Sequence, residues 1–395
     1  MAMISYETAL RRMLRAATPL GVERVPLRAA HGRVLAEHVR ADTNIPPFDR
    51  STMDGYACRR ADLLSPLRVV AMIPAGVMPP ARRLRPGECA KIMTGAIVPA
   101  GADCVVKRED ASVLDAHTVV CTHCGADAHI TRAGSDARKG GVVLRAGTWL
   151  AAPHLATLAL MGCTKPQVYR RPRVGVLATG SELRPPRTTI RGAQIRDSNS
   201  QQLLAQIAAA GAVPRHFGIA PDNAANITAR LRAALRVCDV VLISGGVSVG
   251  DLDLVPGILR TLGCRIVFHK VAMKPGKPFL FARATNGRFC CGLPGNPVST
   301  FVAFELLVKP FLHKLMGHVF VPRVVQVDLA ETIIRKTTDR REAVPVRFTS
   351  AGVVAPVPYH GSGHLTALTA ADGLVFLPIG TPTIERGTPA NVRLL

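Results

Sequence analysis

The spacing of apolar positions changes several times along the chain, and each change predicts a different kind of structure. In residues 6–17, Ala9, Leu10, Met13 and Leu14 share one helical face, which predicts an amphipathic helix. A strand over 24–27 and a short helix over 33–39 follow, before Pro46-Pro47 marks a boundary. From there to about 145 the pattern is short β-runs split by Gly and Pro, at 68–73, 88–93, 102–107, 118–121 and 141–145. Residues 150–169 return to a helix and then a strand. The segments 1–45 and 146–171 therefore read as one N-terminal mixed α/β domain, interrupted by an inserted β-rich domain, 46–145.

Over 172–320 strands and helices alternate. Strands are expected at 173–178, 213–219, 239–244, 265–271, 279–282 and 288–292, and helices at 200–210, 223–237, 254–262 and 298–316. The run Val240-Val241-Leu242-Ile243 has no polar face, as in a strand covered on both sides. This predicts a three-layer α/β domain with a mostly parallel sheet. Residues 321–395 revert to short strands and turns, a small C-terminal β-domain.

Composition narrows the picture modestly. Hydrophobic residues make up 48% of the 395 and aromatic ones only 4%, so the cores must be aliphatic. No apolar run approaches the roughly 18–20 residues of a membrane span, and the N-terminus lacks a signal-peptide pattern, so a cytoplasmic location and no membrane partner are expected. The formal net charge of +23 favours anionic partners. The basic residues are dispersed, however, without a Lys/Arg block or a basic stripe interleaved with aromatics, so no nucleic-acid partner is expected. Ten cysteines lack framework spacing and read as reduced thiols. Cys121-Thr-His-Cys124, near Asp127 and His129, is half of a zinc motif, and ordinary thiols in a strand and turn are the preferred reading. Cys290-Cys291 fall in an apolar strand and read as core.

The candidate chemistry sits where central-domain strands end. Ser244-Gly245-Gly246-Val247-Ser248-Val249-Gly250 follows a buried strand, where glycines let backbone N–H groups approach an anion. Asp251 and Asp253 come next, able to hold Mg2+ or simply to favour a helix N-terminus. Lys270, Lys274 and Lys277 cluster around a stiff Pro-Gly-Lys-Pro turn ending at Pro278, a cationic concavity suited to phosphate or another oxyanion. Pro294-Gly295-Asn296-Pro297-Val298-Ser299 closes one strand and opens a helix, with Asn296 as its N-cap and Pro297 at the first helical position. Thr179-Gly180-Ser181-Glu182 ends the first strand and puts Glu182 on the same rim, while Asp197-Ser198-Asn199 reads as a helix cap. No Ser-His-Asp or catalytic-cysteine arrangement is evident.

The loop, turn and domain together resemble the molybdopterin-binding domain of molybdenum-cofactor biosynthesis proteins. The flanking segments are more specific. Pro46-Pro47-Phe48-Asp49-Arg50-Ser51-Thr52-Met53-Asp54-Gly55-Tyr56-Ala57 resembles the MoeA signature, and Ile92-Met93-Thr94-Gly95-Ala96 and Gly134-Ser135-Asp136 match two further motifs. In the tail, Gly361-Ser362-Gly363-His364-Leu365 and Ala371-Asp372-Gly373-Leu374 resemble the MoeA C-terminal domain. The resemblance spans nearly the whole chain.

It implies an elongated multidomain subunit in a homodimer with a shared active site. The implied reaction is Mg2+-dependent insertion of molybdenum from molybdate into adenylylated molybdopterin, with release of AMP. The partners implied are these two substrates, the upstream adenylyltransferase and apo-molybdoenzymes. Carried over by position, Asp54, Thr94 and Asp136 would reach in from the second subunit. Glu182, Asp222 and Asp253 would serve nucleotide, metal or hydrolysis, with Glu182 and Asp253 as Mg2+ ligands. Lys270, Lys274 and Lys277 would bind anions, and Ser244, Gly245, Gly246, Ser248, Gly250, Pro294, Asn296 and Pro297 the substrate. Molybdate would be held by Lys274, Lys277, Ser299, Arg347 and Ser362 with the Pro278 backbone. The chain departs from the family pattern at Arg50, at Ser181, at Ala343 and at Asp339-Arg340, and the last pair leaves Arg340 and Arg341 as alternatives to Arg347.

Overall fold

The computed structural model describes residues 2–123, 125–247 and 253–395. Its centre is a six-stranded sheet in the order Val213–Ala220, Arg173–Thr179, Val240–Ser244, Phe289–Leu293, Leu280–Arg283, Arg265–His269. Among the described residues only Leu280–Arg283 runs against the other five strands. Alternation explains the unbroken apolar run in the middle strand. Val240 and Leu242 join one core with Leu203, Ile207 and Phe304, while Val241 and Ile243 join a second with Ile227, Leu231 and Leu259. Helices Asn199–Ala209 and Pro297–Ala303 cover the first face, and Ala224–Val237 and Val255–Thr261 the second. The N-terminal helix Tyr6–Ala16 is capped by Ser5 and buries Ala9 and Met13 in the first of these cores.

The helix expected over 33–39 does not form. Val34 bridges Trp149, Leu35 bridges Val168, and Val39–Arg40 pairs with Val142–Leu144. Cross-chain pairing overrides a short, weakly periodic run, since an isolated helix of that length is marginal by itself. The expected 298–316 helix is interrupted by a π-turn at Phe304–Val308. Pro310 has no N–H to continue the ladder. The Leu306 carbonyl accepts from the Tyr6 hydroxyl at 3.4 Å instead, and the Glu305 carbonyl from Arg393 at 2.6 Å.

Flanking this centre are two further six-stranded sheets. One, Cys104–Lys107, Gly55–Cys58, Glu88–Ile92, Leu67–Ile73, Thr118–Cys121, Ala111–Asp115, is built wholly from the 46–145 segment. The other belongs to the C-terminal segment except for the two-residue strand Met273–Lys274, which leaves the central domain to pair with Arg341–Phe348. No described helix is long and apolar enough to cross a membrane.

His313 gives the fold a pH dependence. It is 7% exposed, packs 5.0 Å from the Trp149 ring, and has no hydrogen-bond partner at Nδ1 among the described residues. Burial first, then the His318 and Lys309 charges, pushes its imidazole down to about 3. The unfolded chain protonates this group below about 6.5, whereas the folded chain resists until far lower pH. Stability is therefore full above about 6.5 and falls with pH by up to about 1.4 kcal/mol per unit. In urea titrations, His313→Gln should lose about 2 kcal/mol less than the unaltered protein between pH 6.5 and 5. Parallel losses would refute a buried neutral imidazole.

Candidate active site

The loops at the strand ends form two cavities that share a wall. The first, about 570 Å³, is lined by Gly180, Glu182, Asp222, Ser244, Gly245 and Asp253 among others. The second, about 700 Å³, is lined by Lys274, Lys277, Ser299, Arg340 and Ser362 among others. Pro278, Pro294 and Asn296 border both, so the two halves form one continuous groove.

The first half is shaped by glycines. Gly245 and Gly246 sit at φ +95° and +64°, in the left-handed region that favours glycine. A Cβ on Gly245 would lie 2.5 Å from the Thr179 carbonyl oxygen, so a larger residue cannot occupy the turn without displacing its neighbour strand. The Gly245 N–H donates to the Leu293 carbonyl at 3.1 Å, joining two strand ends. At Gly180 a Cβ would lie 2.7 Å from both Glu182 carboxylate oxygens, so the glycine makes room for that carboxylate. Asp222 accepts from the Ser181 N–H at 3.0 Å, and Ser181 Oγ accepts from the Asp222 N–H at 3.0 Å. This reciprocal pair positions the loop that carries Glu182.

Asn199, whose sequence context reads first as part of a cap and second as a ligand contact, lines the first cavity. Asp197 does the capping, accepting from the Ser200 N–H at 3.0 Å. Asn199 Nδ2 donates to Ser244 Oγ at 2.8 Å and to the Gly295 carbonyl at 2.7 Å, clamping two rim loops together. Asn199→Ala should cost about 1–3 kcal/mol of stability and raise KM more than it lowers kcat, because it loosens the binding loops. Steady-state kinetics with wild-type KM would show the clamp to be idle.

Asn296 also departs from expectation. It stands at the N-cap of Pro297–Ala303, but its side chain makes no capping bond. Instead Nδ2 donates to Ser362 Oγ at 2.8 Å, and the Ser362 carbonyl accepts from the Val298 N–H at 3.1 Å. The Gly361-Ser362 segment of the tail is thereby fixed over a central-domain helix start.

The second half is cationic. Lys277 is exposed at the turn, and Lys274 Nζ lies 2.9 Å from Glu342 Oε1. The C-terminal segment adds Arg340, one of the two alternatives to Arg347, and Arg335, Lys336 and His360, which motif spacing did not single out. His360 adjoins Gly361-Ser362, so extending that motif by one residue reaches it. Arg335 and Lys336 lie in a loop with no pattern of its own. Arg335 is largely spent on structure, donating to the Thr381, Arg340 and Pro378 carbonyls.

Two expected anion ligands line neither cavity. Lys270 sits at φ +76°, its backbone tied to Phe279 and Ile4. Arg347 lies five residues along its strand from Glu342, about 16 Å at ~3.3 Å per residue, and alternation puts it on the opposite face. Arg340, just before that strand, lines the second cavity, where Arg347 does not. Ser248, Gly250, Asp251 and Cys124 lie outside the described residues. Among the described residues no cluster of three or more His, Cys, Asp or Glu could hold a metal alone.

Asp54, Thr94 and Asp136 lie on the inserted segment and line neither cavity within one chain. They are exposed, and two of them form a unit. Asp54 Oδ1 accepts from the Thr94 N–H and Oγ1, both at 2.7 Å. These bonds, the backbone one foremost, hold the Asp54 carboxyl below the usual carboxylate range. Asp136 Oδ1 accepts from Ser135 Oγ at 3.1 Å.

Models of known families match in chain order: the MoeA N-terminal region (domain I and II) over 4–162, a probable molybdopterin binding domain over 175–314, and the MoeA C-terminal region (domain IV) over 329–395. The chain belongs to the MoeA family. This MoeA-family chain is 35% identical over 404 residues to the molybdopterin molybdenumtransferase of Synechococcus elongatus, covering 99% of this chain and 100% of that one. To the Bacillus subtilis protein of the same name it is 34% identical, over 99% and 94% of the two chains. The crystal structure of the Pyrococcus horikoshii molybdopterin biosynthesis moeA protein superposes with a TM-score of 0.86 at 30% identity, covering 100% of both chains.

Proposed function

We propose that this chain, by family a molybdenumtransferase of molybdenum-cofactor biosynthesis, inserts molybdenum from molybdate into adenylylated molybdopterin and releases AMP. One observation carries the reading. A glycine-turned, carboxylate-bearing half-groove opens through Pro278, Pro294 and Asn296 into a half lined by lysines and arginine. The first suits a nucleotide joined through a pyrophosphate, and the second a tetrahedral dianion. A substrate spanning both would present its pterin end beside the bound oxyanion.

Mg2+ commonly takes only one or two carboxylates, with the remaining positions filled by phosphate and water. Glu182 and Asp253, both on the first cavity wall, fit that donor set. Bound there, the ion would neutralise charge on the phosphoanhydride, the chief need in such a cleavage. Lys277 and Lys274 would orient the oxyanion, and Asp222 would hold the Glu182 loop.

Asp54, Thr94 and Asp136 complete the set through a second copy of the chain, giving a homodimer with a shared site. The substrate then comes from an adenylyltransferase, the product passes to apo-molybdoenzymes, and the setting is the cytoplasm. The test is transfer of cofactor to an apo-molybdoenzyme, using adenylylated molybdopterin, molybdate and Mg2+. Asp136→Asn and Lys277→Ala should each abolish most activity, and a mixed dimer of the two should regain one working site in part of the population. A mixed dimer as inactive as its parents contradicts the shared site.

A further inference from the structure

Glu342 has no part in the account above, yet it stands in the wall of the cationic cavity. The pairing of Met273–Lys274 with Arg341–Phe348 puts Lys274 beside Glu342 in register, and Lys274 Nζ meets Glu342 Oε1 at 2.9 Å. The other carboxylate oxygen, Oε2, is shielded and has no hydrogen-bond partner among the described residues, and the residue as a whole is 9% exposed. One ammonium therefore balances a poorly solvated, half-satisfied carboxylate. The neighbouring Tyr359 senses it: burial first, then the Glu342 charge, pushes its phenol up to about 12, so it stays neutral.

A buried carboxylate is an odd wall for an anion site. A tetrahedral oxyanion held by Lys274 and Lys277 brings more negative charge to the ammonium that already serves Glu342. Two anions that share the Lys274 ammonium favour a proton on whichever is more basic. We propose that Glu342 is the specificity-determining residue of this cavity: it takes up one proton as a tetrahedral oxyanion binds, and shares that proton with it. This rests on the oxyanion reading of the cavity given above. Sulfate is a very weak base, whereas protonated molybdate and a glutamic acid are acids of similar strength. The shared proton is therefore favourable with molybdate and poor with sulfate, two dianions of like shape and charge.

The other titratable or charged groups around Glu342 are Lys274 and Lys277 on the turn, Arg335, Lys336 and Arg340 from the C-terminal segment, and His360 and Tyr359. Of these only His360 ordinarily titrates near neutrality, so it needs its own control.

The experiment is calorimetric titration of the full-length protein with sodium molybdate and with sodium sulfate, in two buffers of different ionisation enthalpy. The unaltered protein should take up about one proton per molybdate, with its Kd weakening about tenfold from pH 7 to 8. His360→Asn should keep both properties. Glu342→Gln should bind molybdate with little pH dependence, and its preference for molybdate over sulfate should fall by about tenfold or more. Molybdate binding without proton uptake by the unaltered protein overturns the proposal, whatever the variant's stability. So does a folded Glu342→Gln with unchanged uptake and preference. If the unaltered protein binds neither anion, the oxyanion reading itself fails and takes this inference with it.

Discussion

Gly245→Ala is expected to leave a folded protein that has lost at least about 100-fold in turnover, since misplacing a binding loop by an ångström can cost that much. The substitution makes two demands the loop cannot meet. A Cβ at φ +95° is strained, worth about 1–3 kcal/mol. That Cβ would also lie 2.5 Å from the Thr179 carbonyl oxygen and 2.9 Å from Thr179 Oγ1, so one strand end must move away from the other. The Gly245 bond to Leu293 and the Asn199 clamp on Ser244 shift with it. Stability should drop by about 2–4 kcal/mol in urea unfolding, with far-UV circular dichroism unchanged. Gly257→Ala is the control: it lies in helix Val255–Thr261 with nothing among the described residues within 4 Å of the added carbon, so it should be neutral or slightly stabilising. Near-normal turnover in Gly245→Ala would mean the loop does not carry the substrate.

Lys277→Ala should be nearly as damaging to activity and almost harmless to the fold. The residue is exposed on the turn, so its removal opens no cavity in the core. A charged hydrogen bond to an oxyanion contributes about 1.5–3 kcal/mol, which corresponds to a drop of roughly 10- to 150-fold. The loss should appear mostly as a raised molybdate KM, with the melting temperature within a degree or two of the original. Lys277→Arg keeps the charge but changes a compact ammonium into a planar fork, and should recover only part of the affinity. A molybdate KM unchanged in Lys277→Ala would assign the oxyanion to other cations.

Much of the fold was legible because its signals are local. The apolar run Val240-Val241-Leu242-Ile243 announced a doubly covered strand, and the two cores on either side of it are the physical reason. The failures are cases where distant chain segments decide. Residues 33–39 pair with partners more than a hundred positions away, and the Phe304–Val308 π-turn depends on Pro310 with Tyr6 and Arg393 taking the orphaned carbonyls. The same division runs through the site. Ser244-Gly245-Gly246 and Lys274-Pro275-Gly276-Lys277 could be read as motifs, and both line the groove. Asn199 looked like a cap because its contacts to Ser244 and Gly295 lie 45 and 96 residues away. Arg340 lines the cavity and Arg347 does not because position on a strand and its alternation, not composition, decide which arginine faces it.

The most direct test of the central claim is a single-turnover count of AMP released against molybdenum retained by the pterin, with protein in excess over adenylylated molybdopterin. The account predicts one AMP per molybdenum incorporated and almost no AMP when molybdate is left out. AMP released at the same rate without molybdate, or molybdenum incorporated without AMP, would contradict it.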